Sequence, residues 1–204
     1  MQTERIQADH PNAIQRALEI FQVGGVVAFP TDTVYGIGVP MLERTIERLF
    51  DIKGRDHAKA IAVLIADAEQ LPKVASEISD QAKKLAARFW PGPLTLVLAR
   101  DPKTPSFLSR NDTIGVRVPD HPVARALLAA AGPMAVTSAN LSGRANTRTA
   151  DEVLSQLNGR IELVIDGGRT PGEQPSTVVD LTGEEPMILR EGPISEEQIR
   201  AALA

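Results

Sequence analysis

The sequence predicts a layered α/β or α+β protein, and three observations carry that prediction. Short apolar runs of strand length, bounded by Gly and Pro, recur along the chain. Amphipathic segments with helical spacing separate them. Neither a low-complexity linker nor an internal repeat interrupts the alternation, so one domain over residues 1–204 is expected. A chain of 204 residues is long enough to bury one sizeable core.

The first predicted helix covers residues 13–22, where Ile14, Ala17, Leu18 and Phe21 share a face, and Gly24-Gly25 ends it. Residues 26–29 form a short buried strand that Pro30 breaks. A helix over residues 41–52 buries Ile46, Leu49 and Phe50, and delivers Lys53 and Arg55 at or just past its end. Residues 60–66 (AIAVLIA) read as a second buried strand, and residues 79–89 as a third helix stopped by Trp90-Pro91-Gly92-Pro93. Strands follow at 94–98 and 113–118. Asp120 can cap a helix over 122–131 that has Pro122 in its first turn. A short strand at 135–137 opens onto Ser138-Ala139-Asn140. Thr149 and Glu152 have capping-box spacing ahead of a helix to about residue 157. Residues 163–165 form a strand and Asp166-Gly167-Gly168 a turn. Two strands, 176–181 and 187–190, precede a last helix that begins at Ser195.

Composition narrows the function classes. Hydrophobic residues make up 43% and charged residues 24%, the balance of a globular chain. The formal charge is -4, so a polyanion site has to be a local patch rather than a global field. With no Cys, disulfides, thiolate nucleophiles and Cys-ligated zinc are excluded, and three dispersed His make a His-rich metal site unexpected. The N-terminus is polar and no apolar run approaches bilayer length, so no membrane association and a cytoplasmic location are expected.

Small polar and cationic side chains recur beside the predicted strands. Thr31 and Thr33 flank Asp32 after the first apolar strand; their hydroxyls suit either a ligand or the capping of their own loop. Lys53, Arg55 and Lys59, with His57 between, are spaced as loop cations that can converge on phosphates; the competing reading is a solvated charged loop. Arg117 lies in the apolar strand Ile114-Gly115-Val116-Arg117-Val118, on the face opposite Ile114 and Val116. There it can clamp a small carboxylate, or it can be an edge-strand charge that blocks aggregation. Ser138 and Asn140 can both project to one side after their strand, and an Asx turn is the competitor. No Ser-His-Asp arrangement, Walker loop or G-x-G-x-x-G fingerprint is present.

Taken together, eight segments in order resemble the YrdC-type threonylcarbamoyl-AMP synthase family. They are residues 29–36 (FPTDTVYG); Lys53, Arg55 and Lys59; residues 90–95 (WPGPLT); Thr113, Arg117 and Pro119; Ser138 and Asn140; Asp166-Gly167-Gly168; residues 176–180 (STVVD); and residues 189–193 (LREGP). The resemblance implies an α/β fold with an open, twisted, mixed sheet flanked by helices and a concave ligand-binding face. It implies that L-threonine, bicarbonate and ATP, with Mg2+ on the phosphates, give threonylcarbamoyl-AMP and pyrophosphate. The product would pass to downstream transfer proteins that modify position 37 of tRNA, with double-stranded RNA binding and direct tRNA contact as further expectations. Carried over by position, Thr31, Arg117, Val136 and Ser176 would hold threonine. Lys53, Arg55, His57, Thr113, Ser138, Asn146 and Arg190 would hold ATP, and Lys53, Arg55, Ser138 and Asn140 would surround the reacting centre.

Three positions depart from the family pattern: Ala60 and Thr137 stand where Pro is usual, and His57 where Arg or Lys is usual. The chain stops soon after Arg190, which fits a short form or a truncated one, since long-form members carry a further C-terminal domain. The rival reading is a non-catalytic RNA-binding paralogue of the same fold. The YciO-like branch departs from the pattern at K-x-R and S-x-N, both intact here, and the hydrogenase-maturation relatives need zinc-finger Cys, which this chain lacks.

Overall fold

The computed structural model describes residues 2–109 and 111–204. Strand β1 (Glu4–Gln7) leads into α1 (Ala13–Gln22), β2 (Val27–Phe29), β3 (Gly36–Pro40) and α2 (Glu43–Lys53). Strand β4 (Ala62–Leu64), α3 (Asp80–Phe89), β5 (Leu94–Ala99), β6 (Thr113–Arg117), α4 (Pro122–Ala131) and β7 (Met134–Ser138) follow. The chain closes with α5 (Ala150–Leu157), β8 (Leu163–Asp166), β9 (Thr177–Asp180), β10 (Met187–Arg190) and α6 (Glu196–Leu203). Among the described residues the ten strands form one mixed sheet in the order β1-β8-β2-β3-β7-β4-β6-β5-β9-β10. The open mixed sheet with helices on its faces is the architecture expected from the sequence.

Two apolar clusters pack on opposite faces of this sheet. One joins α2, α3, α5 and α6 through Ile46, Leu49, Phe50, Leu85, Val153, Leu157 and Ile199, and takes Val63, Leu94, Leu96, Leu98, Ile114 and Val116 from the strands. The other joins α1 and α4 through Ala17, Ile20, Phe21, Leu127 and Leu128 to Val27, Phe29, Leu64, Met134, Val136 and Leu163. Side chains alternate along each strand, so both layers can be served by one sheet. The second helical layer has two helices against the first layer's four, and the face of β4, β6, β5 and β9 beyond it is left open.

Two local expectations need correction, and two strands were not expected. The helix over 122–131 has His121 at its N-cap, with no side-chain cap, rather than Asp120. Thr149 does accept from the Glu152 amide, but the Glu152 carboxylate accepts from the Arg148 amide instead of reaching the cap residue, so the box is only half formed. A full capping box occurs instead at Ser195 and Gln198. Strands β1 and β3 carry no periodicity that the sequence exposes. Strand β1 is a polar edge strand that pairs with β8 in parallel. Strand β3 contains Gly36 and Gly38 because a Cβ at either would come within 2.9 Å of Val136 or Met134 on β7.

Truncation of a buried leucine loses transfer free energy and leaves a cavity. Leu49→Ala, in the larger cluster, should therefore lower unfolding free energy by about 2–5 kcal/mol in urea titrations. Met187→Ala, on the exposed edge strand β10, should stay within about 0.5 kcal/mol of the parent.

Candidate functional site

A cavity of about 650 Å3 occupies the open part of the sheet face. Its floor is made by every second residue of four neighbouring strands: Ala62 and Leu64 of β4, Thr113, Gly115 and Arg117 of β6, Thr95 and Val97 of β5, and Val178 and Asp180 of β9. The intervening residues Val63, Ile114, Val116, Leu94, Leu96 and Val179 are in the core beneath. Register fixes the middle of the floor, since Asp180 lies beside Val97, Val97 beside Gly115, and Ala62 beside Val136. The middle is apolar and low. A Cβ at Gly115 would sit 3.3 Å from Thr95 Cγ2 and rise from that floor.

One end of the cavity is lined with hydroxyls around a guanidinium. Pro30 ends β2, and the loop after it folds on its own side chains: Thr31 Oγ1 donates to Val34 O at 2.7 Å and accepts from the Thr33 amide at 3.2 Å. Both threonines also line the cavity, so capping and lining are roles of the same side chains. Arg117, 6% exposed, donates from Nε to Gly92 O at 3.0 Å, from Nη1 to Thr33 Oγ1 at 3.0 Å and from Nη2 to Asp32 Oδ1 at 2.5 Å. Three of its five N–H groups are thereby used, and the other two have no partner among the described residues. Burial pulls its pKa down and Asp32 counters that. Strand β6 lies between β4 and β5, which corrects the edge-strand reading of Arg117. At the same end, Ser176 Oγ and Thr95 Oγ1 share a hydrogen bond of 2.8 Å, and Arg190 Nη2 donates to Ser176 O and Oγ at 2.8 and 3.2 Å.

The other end holds Thr113, Ser138 and Arg55. Gly54, in the left-handed region at φ 56°, turns the chain after α2. Arg55 then faces the cavity, with Nε on Lys59 O at 3.1 Å and Nη2 on Ala60 O at 2.7 Å, and burial lowers its pKa. Arg55, Arg117 and Arg190 thus face one cavity, against Asp180 as the one carboxylate on its wall among the described residues. Burial pulls the Arg190 pKa down first, and the charges of Arg117 and Arg55 add to it. Such a wall favours an anion, even in a chain with a formal charge of -4.

Other expected site residues stand elsewhere. Lys53 continues the buried stripe Ile46–Leu49–Phe50 by one more helical turn, is 2% exposed and does not line the cavity. Its ammonium donates to the backbone carbonyls of Ser138 and Asn140, the latter at 2.5 Å. This corrects its expected place on a phosphate-facing loop: helix α2 runs one residue further than its apolar pattern indicated. Asn140 is likewise turned away, with Nδ2 donating to Leu141 O and Arg144 O at 2.9 and 2.7 Å, while its Oδ1 accepts from Ser138 Oγ at 2.5 Å. Only Ser138 of that pair reaches the cavity, and the local-turn reading describes Asn140. His57 stacks on Phe50 at 4.3 Å between ring centroids and is outside the cavity lining, as is the half-buried Asn146. Thr31, Arg55, Thr113, Arg117, Val136, Ser138, Ser176 and Arg190 all line this one cavity. The wall also takes Thr95 and Asp180, whose signal was a polar residue on the open parity of an apolar strand, and Thr182 from the loop after β9.

No described group of three His, Cys, Asp or Glu forms a metal cage. A single wall carboxylate makes no protein cage for a divalent ion, so such an ion would have to be carried by the phosphates of a ligand.

The family model Sua5_yciO_yrdC, described as telomere recombination, matches residues 19–192. The threonylcarbamoyl-AMP synthase of Pyrococcus abyssi is 42% identical over 193 residues, covering 93% of this chain and 57% of the relative. The crystal structure of P. abyssi Sua5 complexed with L-threonine superposes with a TM-score of 0.94 at 39% identity, covering 100% of this chain and 61% of that one. The crystal structure of E. coli YciO gives 0.84 at 33% identity, covering 94% and 96%. The chain spans less than two thirds of the length of the curated relatives it matches first.

Burial, with the Arg55 charge second, pushes the Lys53 pKa down from 10.5 to about 7. Between those values the unfolded chain holds a proton that the folded one releases, so the folded state gains relative stability as pH rises. Below about 7 both states carry the charge and the full cost of burying it is present. In parallel urea titrations, the stability of the parent relative to Lys53→Met should therefore rise from pH 7 towards 10. A flat difference across that window would remove the lowered pKa.

Proposed function

Because the chain belongs to the Sua5/YciO/YrdC family, we propose that it is an L-threonylcarbamoyladenylate synthase, joining L-threonine, bicarbonate and ATP with release of pyrophosphate. The observation that carries this reading is the two-ended cavity. Arg117 and the hydroxyls of Thr31, Thr33, Thr95 and Ser176 stand at one end, and Thr113, Ser138 and Arg55 at the other. Thr113 and Arg117 are four residues apart on one strand, about 13 Å. That span suits a ligand with an amino-acid head and a nucleotide tail. The threonine-bound relative supports the amino-acid half of the reading.

In this reading the two unused N–H groups of Arg117 take the threonine carboxylate, and Thr31 and Ser176 address its amine and hydroxyl. Leu64 and Val136 pack beside the methyl group. The amine, once neutral, attacks the carbon of CO2 and releases a proton, or attacks that of bicarbonate and releases water, and either route gives a carbamate. A carbamate oxygen then attacks the α-phosphorus, the bond to the bridging oxygen breaks, and pyrophosphate leaves with that electron pair. Arg55 and Arg190 offset the negative charge that develops, while Ser138 and Thr113 orient the phosphates. Rate enhancement here comes mainly from positioning and preorganised charge. Mg2+ would neutralise phosphate charge, held by phosphate oxygens and water. Lys53 acts as a positioning residue: its bonds to the Ser138 and Asn140 carbonyls hold the Ser138 hydroxyl on the wall.

We read residues 1–204 as one such domain, on the ground that a single sheet carries both helical layers. The conjugate would serve transfer proteins that modify tRNA in the cytoplasm.

The test is pyrophosphate release by the purified chain, which should require threonine, bicarbonate and ATP together. Release without dependence on threonine and bicarbonate would reject the synthase reading. Arg117→Ala should raise the threonine KM by about tenfold or more, since hydrogen bonds to a charged group are worth roughly 1.5–3 kcal/mol, and leave the ATP KM little changed. Circular dichroism checks that the variant is folded, because the substitution also leaves Asp32 without its buried partner.

A further inference from the structure

Asp180 is out of character with its surroundings. It is a carboxylate on a wall that carries three guanidinium groups, yet it pairs with none of them, and no described ion pair includes it. Arg190, on the neighbouring strand, turns instead to Ser176. Period-two alternation is not an accident of this position. Val178 and Asp180 face the cavity while Val179 between them is in the core. The carboxylate is also oriented: Oδ1 accepts from the Thr182 amide at 2.9 Å and from the Thr182 hydroxyl at 2.7 Å. Both protein donors use the same oxygen, and Oδ2 has no described hydrogen-bond partner.

A fixed carboxylate with one free oxygen repels phosphates and accepts from neutral donors. The Thr182 hydroxyl shows the bond such an oxygen makes here, alcohol O–H to carboxylate. Beside Asp180 the floor is apolar, with Val97 in register with it and Leu189 on the adjoining wall. The part of a nucleotide that is uncharged, carries alcohol groups and has apolar faces is its sugar. We infer that Asp180 is a specificity-determining residue that accepts a hydrogen bond from a ribose hydroxyl, so that the cavity selects ribonucleotides over deoxyribonucleotides. This rests on the reading of the cavity as a nucleotide site. It places the sugar over β9 and β5, and leaves the phosphates to Arg55, Thr113 and Ser138.

The experiment is calorimetric binding of ATP, 2′-deoxy-ATP and 3′-deoxy-ATP, each with Mg2+, to the parent and to Asp180→Ala and Asp180→Asn. The parent should bind at least one deoxy analogue about tenfold more weakly than ATP, the worth of a hydrogen bond to a charged acceptor. Asp180→Ala should bind all three within about twofold of one another, and Asp180→Asn, which keeps a neutral acceptor, should fall between. Equal affinity of the parent for the three nucleotides overturns the proposal while leaving the synthase reading intact. So does an Asp180→Ala variant that keeps the parent's discrimination, or one whose loss is restored by raising Mg2+, which would make Asp180 a metal ligand. A parent that binds no nucleotide overturns both this proposal and the reading beneath it.

Discussion

Every strand beneath the cavity has to satisfy two environments at once, and the site depends on that constraint. Successive side chains point to opposite faces, so Ile114 and Val116 are committed to the core by the same geometry that commits Thr113, Gly115 and Arg117 to the cavity. A shift of one residue in the pairing of β6 with β5 would bury the hydroxyl and the guanidinium and expose the apolar pair. Packing of the core therefore holds the polar face in register. The helices α1 and α4 cover one part of the second face and leave the rest open, which makes the cavity a consequence of incomplete coverage.

Two buried cations secure the loops at the ends of the cavity. Arg117 ties the loop after β2 to β6 through Thr33 and Asp32, and reaches Gly92 beyond the end of α3. Lys53 ties the end of α2 to the loop after β7. A buried charge is costly unless it is well bonded, and removing one partner leaves the other exposed to that cost. Their use at these two places favours fixed loop geometry over raw stability. Arg55 and Arg190 differ, since their partners are backbone carbonyls and a hydroxyl, with no carboxylate among them. They bring uncompensated positive charge to the cavity wall, where an anionic ligand would supply the counter-charge.

Legibility in the sequence followed the strength of local pattern. The limits of α1 and α4 were readable because apolar spacing, Gly24 after the one and Pro122 at the start of the other mark them. Strand β3 was not, because close contact with β7 demands glycine, and glycine erases the β-forming signal. Strand β1 was hidden for a different reason: as a polar edge strand it has no face that must be apolar. At the site, Arg117 was found by strand parity, whereas Thr113, Ser176 and Arg190 were reached through the family resemblance. Lys53 was placed one residue past the end of α2, although its spacing from Leu49 is helical, because a lysine on an apolar stripe is read as the point where the stripe ends.

The sequence alone determined the alternation of helices and strands, the faces of β5, β6 and β9, and the set of hydroxyls and guanidinium groups that a cavity could use, because those follow from periodicities of two and of 3.6 residues. Tertiary structure decided which of these groups meet. Strands adjacent in the sheet, such as β9 and β5, are far apart in the chain, so no local pattern records that Ser176 faces Thr95 or that Asp180 stands beside Val97. It also decided which cations are spent inside the protein and which are left for a ligand. That depends on where carbonyls and carboxylates from distant loops come to rest, a property of the packed chain and of no single segment.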